Sequence, residues 1–296
     1  MYNFEIFTDS TSDLTKELRE QYHVNYVPMN VIINGEELEA NLDWEKFGPV
    51  EYYNLMRKGT KIKTNQVPMP VYEKAFTKAL EAKKDVLYLA CSSKLSGSVN
   101  FARVVAEELK AKYPERKIYC IDTLRSTLAE GLIVCHASNM REEGKSIDEI
   151  AQYIEENKLC WHTIATVESL NYLKNAGRVK AGAAFFGNIF GVKPIIIADA
   201  IGNNYALKKV KGRRSSLLEV INMVKESVVN PQDQYIAIEH ADCDVDLEFV
   251  KEHIMNELKP KGVIINYVGP IIGATVGPGT IIVSFFGTKE TIVGNE

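Results

Sequence analysis

The sequence predicts an α/β protein built of two domains, and three observations lead to this fold class. The chain has 296 residues, enough for two domains of roughly 150 residues each. In the first half, short apolar runs alternate with longer helical patterns, as in a mainly parallel sheet covered by helices. In the second half, short turns join strand candidates, which favours a mixed or antiparallel sheet with helices. We place the boundary near residue 160, which gives domains of residues 1–160 and 161–296.

In the first half, three strand candidates each lead through a hydroxyl-rich loop into a helical pattern. The strands are NFEIF (3–7), DVLYLA (85–90) and KIYCI (117–121). Ligands of parallel sheets gather at the carboxyl ends of the strands, so we expect the binding site among these loops. The intervening segment, which ends at Gly59, indicates a strand, an Asn-Gly turn, an acidic loop and a short helix.

The second half contains six strand candidates and two clear helical patterns. The strands are TIATV, KPIIIA, YALKKV, YIAIE, VIINYV and TIIVSFF, and the helices are SLLEVINMVKESVV and DLEFVKEHIMNEL. Some of the strands are joined by short turns such as DAIGNN, which is why we expect antiparallel pairs among them.

Composition excludes several classes of partner. With 35 basic and 39 acidic residues the net charge is −4, which gives no reason to expect binding to nucleic acid or to an anionic membrane. No segment reaches the roughly 18 uncharged apolar residues of a membrane span, and the first residues lack the pattern of a signal peptide. The five cysteines are widely spaced and form no C-x-x-C pair, so neither a disulfide framework nor a zinc site is predicted. We therefore expect a cytoplasmic protein without a bound metal.

The stretch LACSSKLSGSVNFA supplies the first candidate site. Ser93, Ser96 and Gly97 lie between the strand at 85–90 and the next helical pattern. Hydroxyl groups and free backbone N–H groups at a helix start suit an anion. In the alternative interpretation, Ser96 only caps a helix over residues 99–113.

The stretch TDSTSDL (8–14) favours a structural role. Ser10 or Ser12 can cap the first helix, and Asp13 suits its first turn because of the helix dipole.

Two further loops are polar or rich in glycine. Thr64 lies in KTNQVPMP (63–70), which the sequence indicates to be a proline-containing loop, and a lone threonine there is usually structural. Thr275 lies in GPIIGATVGPGT (269–280), where the glycines indicate tight turns of the backbone.

The stretch AGAAFFGNIFGVKPIII is apolar on more than one face. It is either a core helix or the wall of an apolar cavity. The side chains concerned are Phe185, Phe186, Ile189 and Phe190.

The stretch LKKVKGRRSS (207–216) concentrates positive charge on a slightly acidic chain. It is either a solvated turn or a docking surface for phosphate or an acidic partner.

Motifs for catalysis are missing. The sequence has no nucleotide-binding glycine loop, no G-x-S-x-G elbow and no H-x-x-x-H pair. Its five histidines stand alone, so the hydroxyl groups have no evident base to activate them. The sequence therefore predicts that the protein is not an enzyme. The alternative from the residues is a hydrolase or transferase that acts on a small anion at the Ser93/Ser96 loop.

In order along the chain, one set of motifs resembles the DegV family. The motifs are FTDSTSDL, TNQVP, SSKLSGS, DTLRSTLAEG, LNYLKNAGRV, GVKPII, KKVKGRR and GPIIGATVGPGT. This resemblance implies a two-domain protein that binds one long-chain fatty acid, with the carboxylate between the domains and the acyl chain inside the C-terminal domain. No cofactor is implied besides this ligand.

Some members that this chain resembles are binding subunits of bacterial fatty acid kinase. The resemblance therefore implies a separate ATP-dependent fatty acid kinase as partner, with the acyl phosphate serving phospholipid synthesis. A lipid carrier or sensor without a kinase is the alternative.

The resemblance also carries over single residues to the ligand site. Thr64 matches the family's carboxylate-binding threonine, and Ser96 and Gly97, with Ser93 nearby, fall in its serine-glycine loop. Thr275 stands where the family commonly has a histidine, and it can supply only a hydroxyl group.

Two arginines match positions that the family uses for its partner. Arg178 matches an arginine near the interdomain face, and Arg213 matches one in the basic loop implicated in kinase interaction. Ala176 and Gly212 depart from the residues usual beside them.

Overall fold

The computed structural model describes residues 2–181, residue 185 and residues 191–294. The strands are β1 (Phe4–Asp9), β2 (Val24–Val27), β3 (Asn30–Ile33), β4 (Glu36–Glu39), β5 (Ile62–Asn65), β6 (Asp85–Ala90), β7 (Ile118–Asp122), β8 (Trp161–Thr166), β9 (Val179–Lys180), β10 (Val192–Ala198), β11 (Asn204–Lys211), β12 (Tyr235–His240), β13 (Gly262–Tyr267) and β14 (Ile281–Phe286). The α-helices are α1 (Lys16–Gln21), α2 (Pro49–Arg57), α3 (Met69–Glu81), α4 (Ser98–Lys112), α5 (Thr127–Glu142), α6 (Ile147–Asn157), α7 (Leu170–Ala176), α8 (Arg213–Ser227), α9 (Asp244–Glu257) and α10 (Pro270–Val276).

The first half forms a parallel sheet with helices on both faces. Its strand order is β2-β1-β6-β7, and every pair is parallel. Alternate side chains of β6 enter two separate cores: Val86 and Tyr88 pack in the cluster that contains α3 and α4, whereas Leu87 and Leu89 pack in the cluster with α5 and α6. This arrangement confirms the mainly parallel sheet that the sequence predicts.

A second, three-stranded sheet in the first half was not predicted. Its order is β4-β3-β5, with antiparallel pairs throughout. The predicted Asn-Gly turn is present, with φ of 54° at Asn34 and 87° at Gly35, but the acidic loop expected after it is strand β4. The expected loop at Thr64 begins as strand β5. Both strands lie at sheet edges with mostly polar residues, so the hydrophobic alternation that marks a strand is absent.

The second half forms a mixed seven-stranded sheet, as predicted. Its order is β13-β12-β14-β8-β10-β11-β9; β8 pairs antiparallel with both of its neighbours, while β12 and β13 are parallel. Helices α8 and α9 bury apolar side chains against this sheet in a third core cluster. All strands of the parallel sheet precede residue 123, and all strands of the mixed sheet follow residue 160. The domain boundary at residue 160 stays a prediction.

Within the described ranges, no helix combines the length and the apolarity needed to cross a bilayer.

Candidate functional site

The carboxyl ends of the parallel strands border a cavity of about 300 Å³. The first half contributes residues of the loops after β1 and β6 and of the segment that leads from β5 to α3. The second half contributes Arg178, Asn204 and the side of α10 that bears Ile271, Ile272 and Thr275. Chain segments that are distant in sequence therefore meet around one space, at the edge where the sequence predicts a ligand.

The polar residues singled out from the sequence meet at this cavity. Thr64, Ser93, Ser96, Gly97 and Thr275 all line it. Arg178, which the family resemblance assigns to a partner surface, lines it as well.

The serine loop between β6 and α4 is fixed by its own backbone. Ser92 accepts hydrogen bonds from the N–H groups of Leu95 (2.9 Å) and Ser96 (3.1 Å). Helix α4 begins at Ser98 with Gly97 as its N-cap, so the predicted cap at Ser96 is wrong by one position. The Ser96 hydroxyl still accepts from the N–H of Ser98 at 3.2 Å. The capping and ligand interpretations of Ser96 are thus compatible.

Gly97 leaves room for the side chain of Gln66. A Cβ atom at this position would lie 2.2 Å from Oε1 of Gln66, which lines the same cavity. The backbone angle at Gly97, φ −77°, is one that any residue adopts. A larger residue at position 97 would therefore displace the flexible end of Gln66 from its place at the cavity.

Three hydroxyl groups face the cavity without a partner. Among the described residues, none makes a hydrogen bond with the hydroxyl of Thr64, Ser93 or Thr275, although Thr275 is buried. Hydroxyl groups in such places normally find a partner inside the protein or in a bound molecule. The arrangement is therefore suited to a ligand that accepts hydrogen bonds.

The first loop differs from its prediction. Helix α1 begins at Lys16 and is capped by Thr15, so neither Ser10 nor Ser12 caps it. The Ser10 hydroxyl instead accepts from the N–H of Met29 (2.9 Å) and donates to the carbonyl of Ala40 (2.8 Å), while Ser12 donates to the carbonyl of Asp9 (2.9 Å). These hydroxyl groups hold the loop itself together.

Thr11 connects the cavity lining to buried carboxyl groups. Its hydroxyl lies 2.6 Å from Oδ1 of Asp9 and 2.7 Å from Oε2 of Glu130. A hydroxyl has one proton, so one of these two contacts requires a proton on the carboxyl group. Burial raises the pKa of Asp9 and of Glu130, which favours that protonated form.

A second pair of buried carboxyl groups joins the two halves of the chain. Asp13, in the loop after β1, lies close enough to Glu239 of β12 for the two buried carboxyl groups to interact. Burial raises the pKa of Asp13 to about 7 and that of Glu239 well above its ordinary value. Two buried carboxyl groups this close can share a proton, which the raised pKa values favour.

Helix α10 brings Thr275 to the cavity, and the sequence predicts only tight turns there. Two tyrosines of α2 position its start: Tyr52 donates to the carbonyl of Pro270 at 2.6 Å, and Tyr53 donates to that of Val268. A Cβ atom on Gly273 would lie 2.6 Å from the Tyr53 hydroxyl, so glycine permits this packing.

Only one of the four predicted apolar wall residues can be placed. Phe185 is half-buried against the main core cluster, with its ring centroid 4.9 Å from Nζ of Lys209. Phe186, Ile189 and Phe190 lie outside the described residues.

The cavity is flanked by a wider cleft of about 1110 Å³. Thr64, Asn65, Arg178 and Thr275 line both spaces, so the polar end of the cavity borders the cleft.

Arg213 does not line this cleft, but it contacts two residues that do, Asp246 and Gly279. Its guanidinium donates to Asp246 (2.9 Å) and to the carbonyl of Gly279 (2.6 Å). Arg178, by contrast, is exposed and donates only to the nearby carbonyl of Ala176 among the described residues.

Gln66, which the polar loop KTNQVPMP offers as an amide donor, also lines the cavity. So do Thr11 and Asn204, which the sequence does not single out: Asn204 lies in the turn DAIGNN, which indicates only a connection between strands.

Together, the fold and the cavity define an α/β protein with a ligand cavity at the carboxyl edge of a parallel sheet. A family model described as "Uncharacterised protein, DegV family" matches residues 3–288. A DegV domain-containing protein of Clostridium perfringens is 39% identical over 293 residues, which cover 98% of this chain and 100% of the relative. The chain belongs to the DegV family.

Solved structures confirm the DegV-like fold. A DegV lipid-binding protein from Thermotoga maritima has a TM-score of 0.84 and 26% identity, covering 98% of this chain and 100% of that one. A DegV family protein from Thermus thermophilus, solved in a study of its fatty acid binding, has a TM-score of 0.86 and 25% identity, covering 97% and 100%.

Proposed function

We propose that this protein binds one long-chain fatty acid and holds its carboxylate in the cavity between the parallel sheet and α10. The observation that carries this proposal is the convergence of the unpartnered hydroxyl groups of Thr64, Ser93 and Thr275 on one cavity. The names of the Thermotoga and Thermus relatives, which bind lipid or fatty acid, support it.

The head of the ligand would be held by neutral donors with positive charge at the rim. A carboxylate accepts hydrogen bonds only, and each charge-assisted bond contributes about 1.5–3 kcal/mol. Lys94 and Arg178 also line the cavity, and both are exposed. The hydroxyl groups would fix the orientation of the carboxylate, and the two cations would offset its charge.

The tail of the ligand would supply most of the affinity. Met29, Ile271 and Ile272 are buried apolar residues on the cavity wall, and we propose that the acyl chain packs against them. At about 0.8 kcal/mol per buried CH₂, roughly 14 methylenes contribute on the order of 11 kcal/mol. We therefore expect the loss of a single hydroxyl group to disorder the bound carboxylate without greatly lowering the amount of lipid that the protein retains.

Native mass spectrometry of the purified protein tests the ligand class. We expect an added mass of about one fatty acid per chain that disappears after denaturation and is recovered by organic extraction. If the protein purifies without lipid and also fails to take up added palmitate, the proposal is wrong.

We further propose that the bound carboxylate is presented to a separate ATP-dependent fatty acid kinase in the cytoplasm, and that this protein is not itself the catalyst. The wider cleft beside Thr64 and Thr275 gives a partner access to the head group, and exposed Arg178 is available to contact it. The five free cysteines agree with a reducing compartment.

Reconstitution with a kinase distinguishes a kinase subunit from a stand-alone lipid carrier. With ATP and palmitate, the protein should form acyl phosphate only when a candidate kinase from the same genome is added. Arg178→Ala should lower that rate several-fold, because a rim charge chiefly affects association. Arg103→Ala, on α4 and outside both the cavity and the cleft, is the control. Lipid binding without any kinase-dependent product would favour the carrier.

A further inference from the structure

Asn204 is a buried polar residue of the cavity whose side chain has no partner among the described residues. It begins β11, where its backbone is paired with Ala198 on one side and Val179 on the other. The residue is 9% exposed and lines the cavity. Within the described part of the chain, its side-chain amide makes no hydrogen bond.

The turn before β11 explains how Asn204 reaches this position. Asp199 closes the turn by accepting from the N–H of Asn203 at 2.8 Å and from its side-chain amide at 3.1 Å. The amide of Asn203 is thus held by the turn, whereas Asn204 is the first residue of β11 and lines the cavity. Two adjacent asparagines thus have different roles.

The same turn is attached to the serine loop. The Ser92 hydroxyl donates to the carbonyl of Gly202 at 2.7 Å. Gly202 has φ of 90°, and a Cβ atom there would lie 2.3 Å from the Ser92 oxygen, so only glycine permits the contact. The loop that bears Ser93 and Ser96 and the turn that delivers Asn204 are therefore held together.

The amide of Asn204 is available to a ligand. It has no partner among the described residues and is not fully enclosed, so either water or a ligand in the cavity must satisfy it. Asn204 offers two N–H donors towards a cavity that also contains the free hydroxyl groups of Thr64, Ser93 and Thr275. A ligand carboxylate can accept from all of these groups at once.

We propose that Asn204 binds the ligand carboxylate, donating from its side-chain amide; this inference rests on the proposed fatty acid ligand. Asn204 is then the point at which the mixed sheet contacts the head group. As a neutral donor, it orients the carboxylate without adding a buried cation.

The test compares palmitate with hexadecanol, which has the same tail and no carboxylate. Asn204→Asp keeps the shape of the side chain and replaces its donors by a negative charge. We expect the dissociation constant for palmitate to rise by about tenfold or more, from the loss of one charge-assisted bond and the added repulsion. Binding of hexadecanol should stay within about threefold of wild type, because its hydroxyl can donate to the new carboxylate.

Two further variants keep the test decisive. Asn175→Asp adds the same charge at an exposed residue that lines only the wider cleft, and it should leave both ligands unaffected. If Asn204→Asp does not fold, Asn204→Leu removes the donors without adding charge and should weaken palmitate, but not hexadecanol, by about threefold to tenfold.

The outcomes separate this inference from the proposed function. Unchanged palmitate binding, or equal losses for palmitate and hexadecanol, would show that Asn204 does not contact the carboxylate. A wild-type protein that binds neither ligand would instead overturn the fatty acid proposal, and this inference with it.

Discussion

Gly97 shows how a single residue sets the dimensions of the site. The space next to it is filled by the end of the Gln66 side chain, 2.2 Å from where a Cβ would stand. A methyl group there must displace Gln66, which lines the cavity. The same residue is the N-cap of α4, so its effects on binding and on folding can be measured separately.

We expect Gly97→Ala to weaken fatty acid binding by about tenfold while the free energy of unfolding changes by about 1 kcal/mol or less. The matched control is Gly48→Ala, since Gly48 is also a helix N-cap without a side-chain cap, and nothing lies within 4 Å of its Cβ position. Both variants should show similar small changes in urea unfolding, and only the first should lose affinity in a palmitate titration. Equal affinities in the two variants would mean that Gln66 plays no part in binding.

Single residues also mark what the sequence can and cannot predict about the site. Ser93 and Ser96 follow a strongly apolar strand and precede a helix, so local pattern alone places them at the carboxyl edge of the sheet. Thr64 and Thr275 could be selected only by family resemblance, because neither an edge strand nor a short glycine-rich helix has a distinctive local pattern. Asn204 depends on the pairing of β11 with β9 and on the contact between Ser92 and Gly202, which are distant in sequence.

At the scale of elements, the connection from β7 to α5 is attached to the mixed sheet by one arginine. Arg125 is fully buried and donates to the carbonyls of Trp161, Leu124 (2.8 Å) and Asp199 (3.2 Å). Burial lowers the pKa of Arg125 to about 10, so it remains cationic at neutral pH. Its fork of N–H groups satisfies carbonyl oxygens that lysine could not reach together.

We expect Arg125→Lys to lower the free energy of unfolding by about 3–5 kcal/mol, because buried carbonyl groups lose their donors and a buried charge loses part of its compensation. Arg103→Lys is the control, since Arg103 is exposed and also donates to a carbonyl, that of Cys120 at 3.3 Å. Urea denaturation followed by circular dichroism measures both. A loss below about 1 kcal/mol for Arg125→Lys would show that this contact does not stabilise the junction.

The parallel and mixed sheets could be predicted from sequence, whereas the small sheet could not. Buried strands such as β6 and β10 are continuous apolar runs, which predict a strand without further information. Strand β4, with the sequence EELE, has exposed acidic residues and owes its conformation to the turn at Asn34 and Gly35 and to pairing with β3. Whether such an edge segment forms a strand depends on its pairing with a neighbouring strand and not on its local sequence.

At the scale of the whole molecule, the Asp13–Glu239 pair makes stability depend on pH. Asp13 belongs to the loop after β1 and Glu239 to β12, so the pair spans the parallel and mixed sheets. The folded-state pKa of Asp13 is about 7, raised by burial from 3.8. Between these two values the folded protein holds a proton that the unfolded chain releases, so stability is lost as the pH rises through the folded pKa. Burial raises the pKa of Glu239 as well, which extends the loss to higher pH.

We expect the free energy of unfolding to fall between pH 5 and pH 8, with on the order of 3 kcal/mol as the upper limit for the contribution of Asp13 in this interval. Asp13→Asn should remove the part of this fall that Asp13 contributes, because an amide can donate to Glu239 without titrating, while the buried carboxyl groups of Asp9, Glu130 and Glu239 keep their own contributions. Asparagine also tolerates the left-handed backbone at this position, where φ is 50°. The variant should therefore match wild type near pH 5 and exceed it near pH 8.

Asp242→Asn provides the matched control for that experiment. Asp242 has φ of 56°, so the change is made in the same backbone conformation, but its carboxylate forms an ion pair with the partly exposed Arg57. Such a pair contributes about 0–1 kcal/mol, and its loss should shift stability by a similar amount at both pH values. Suppose that Asp13→Asn also changes the free energy of unfolding by the same amount at every pH. The two sheets are then not joined by a shared proton, and the pH dependence of stability has its cause elsewhere in the molecule.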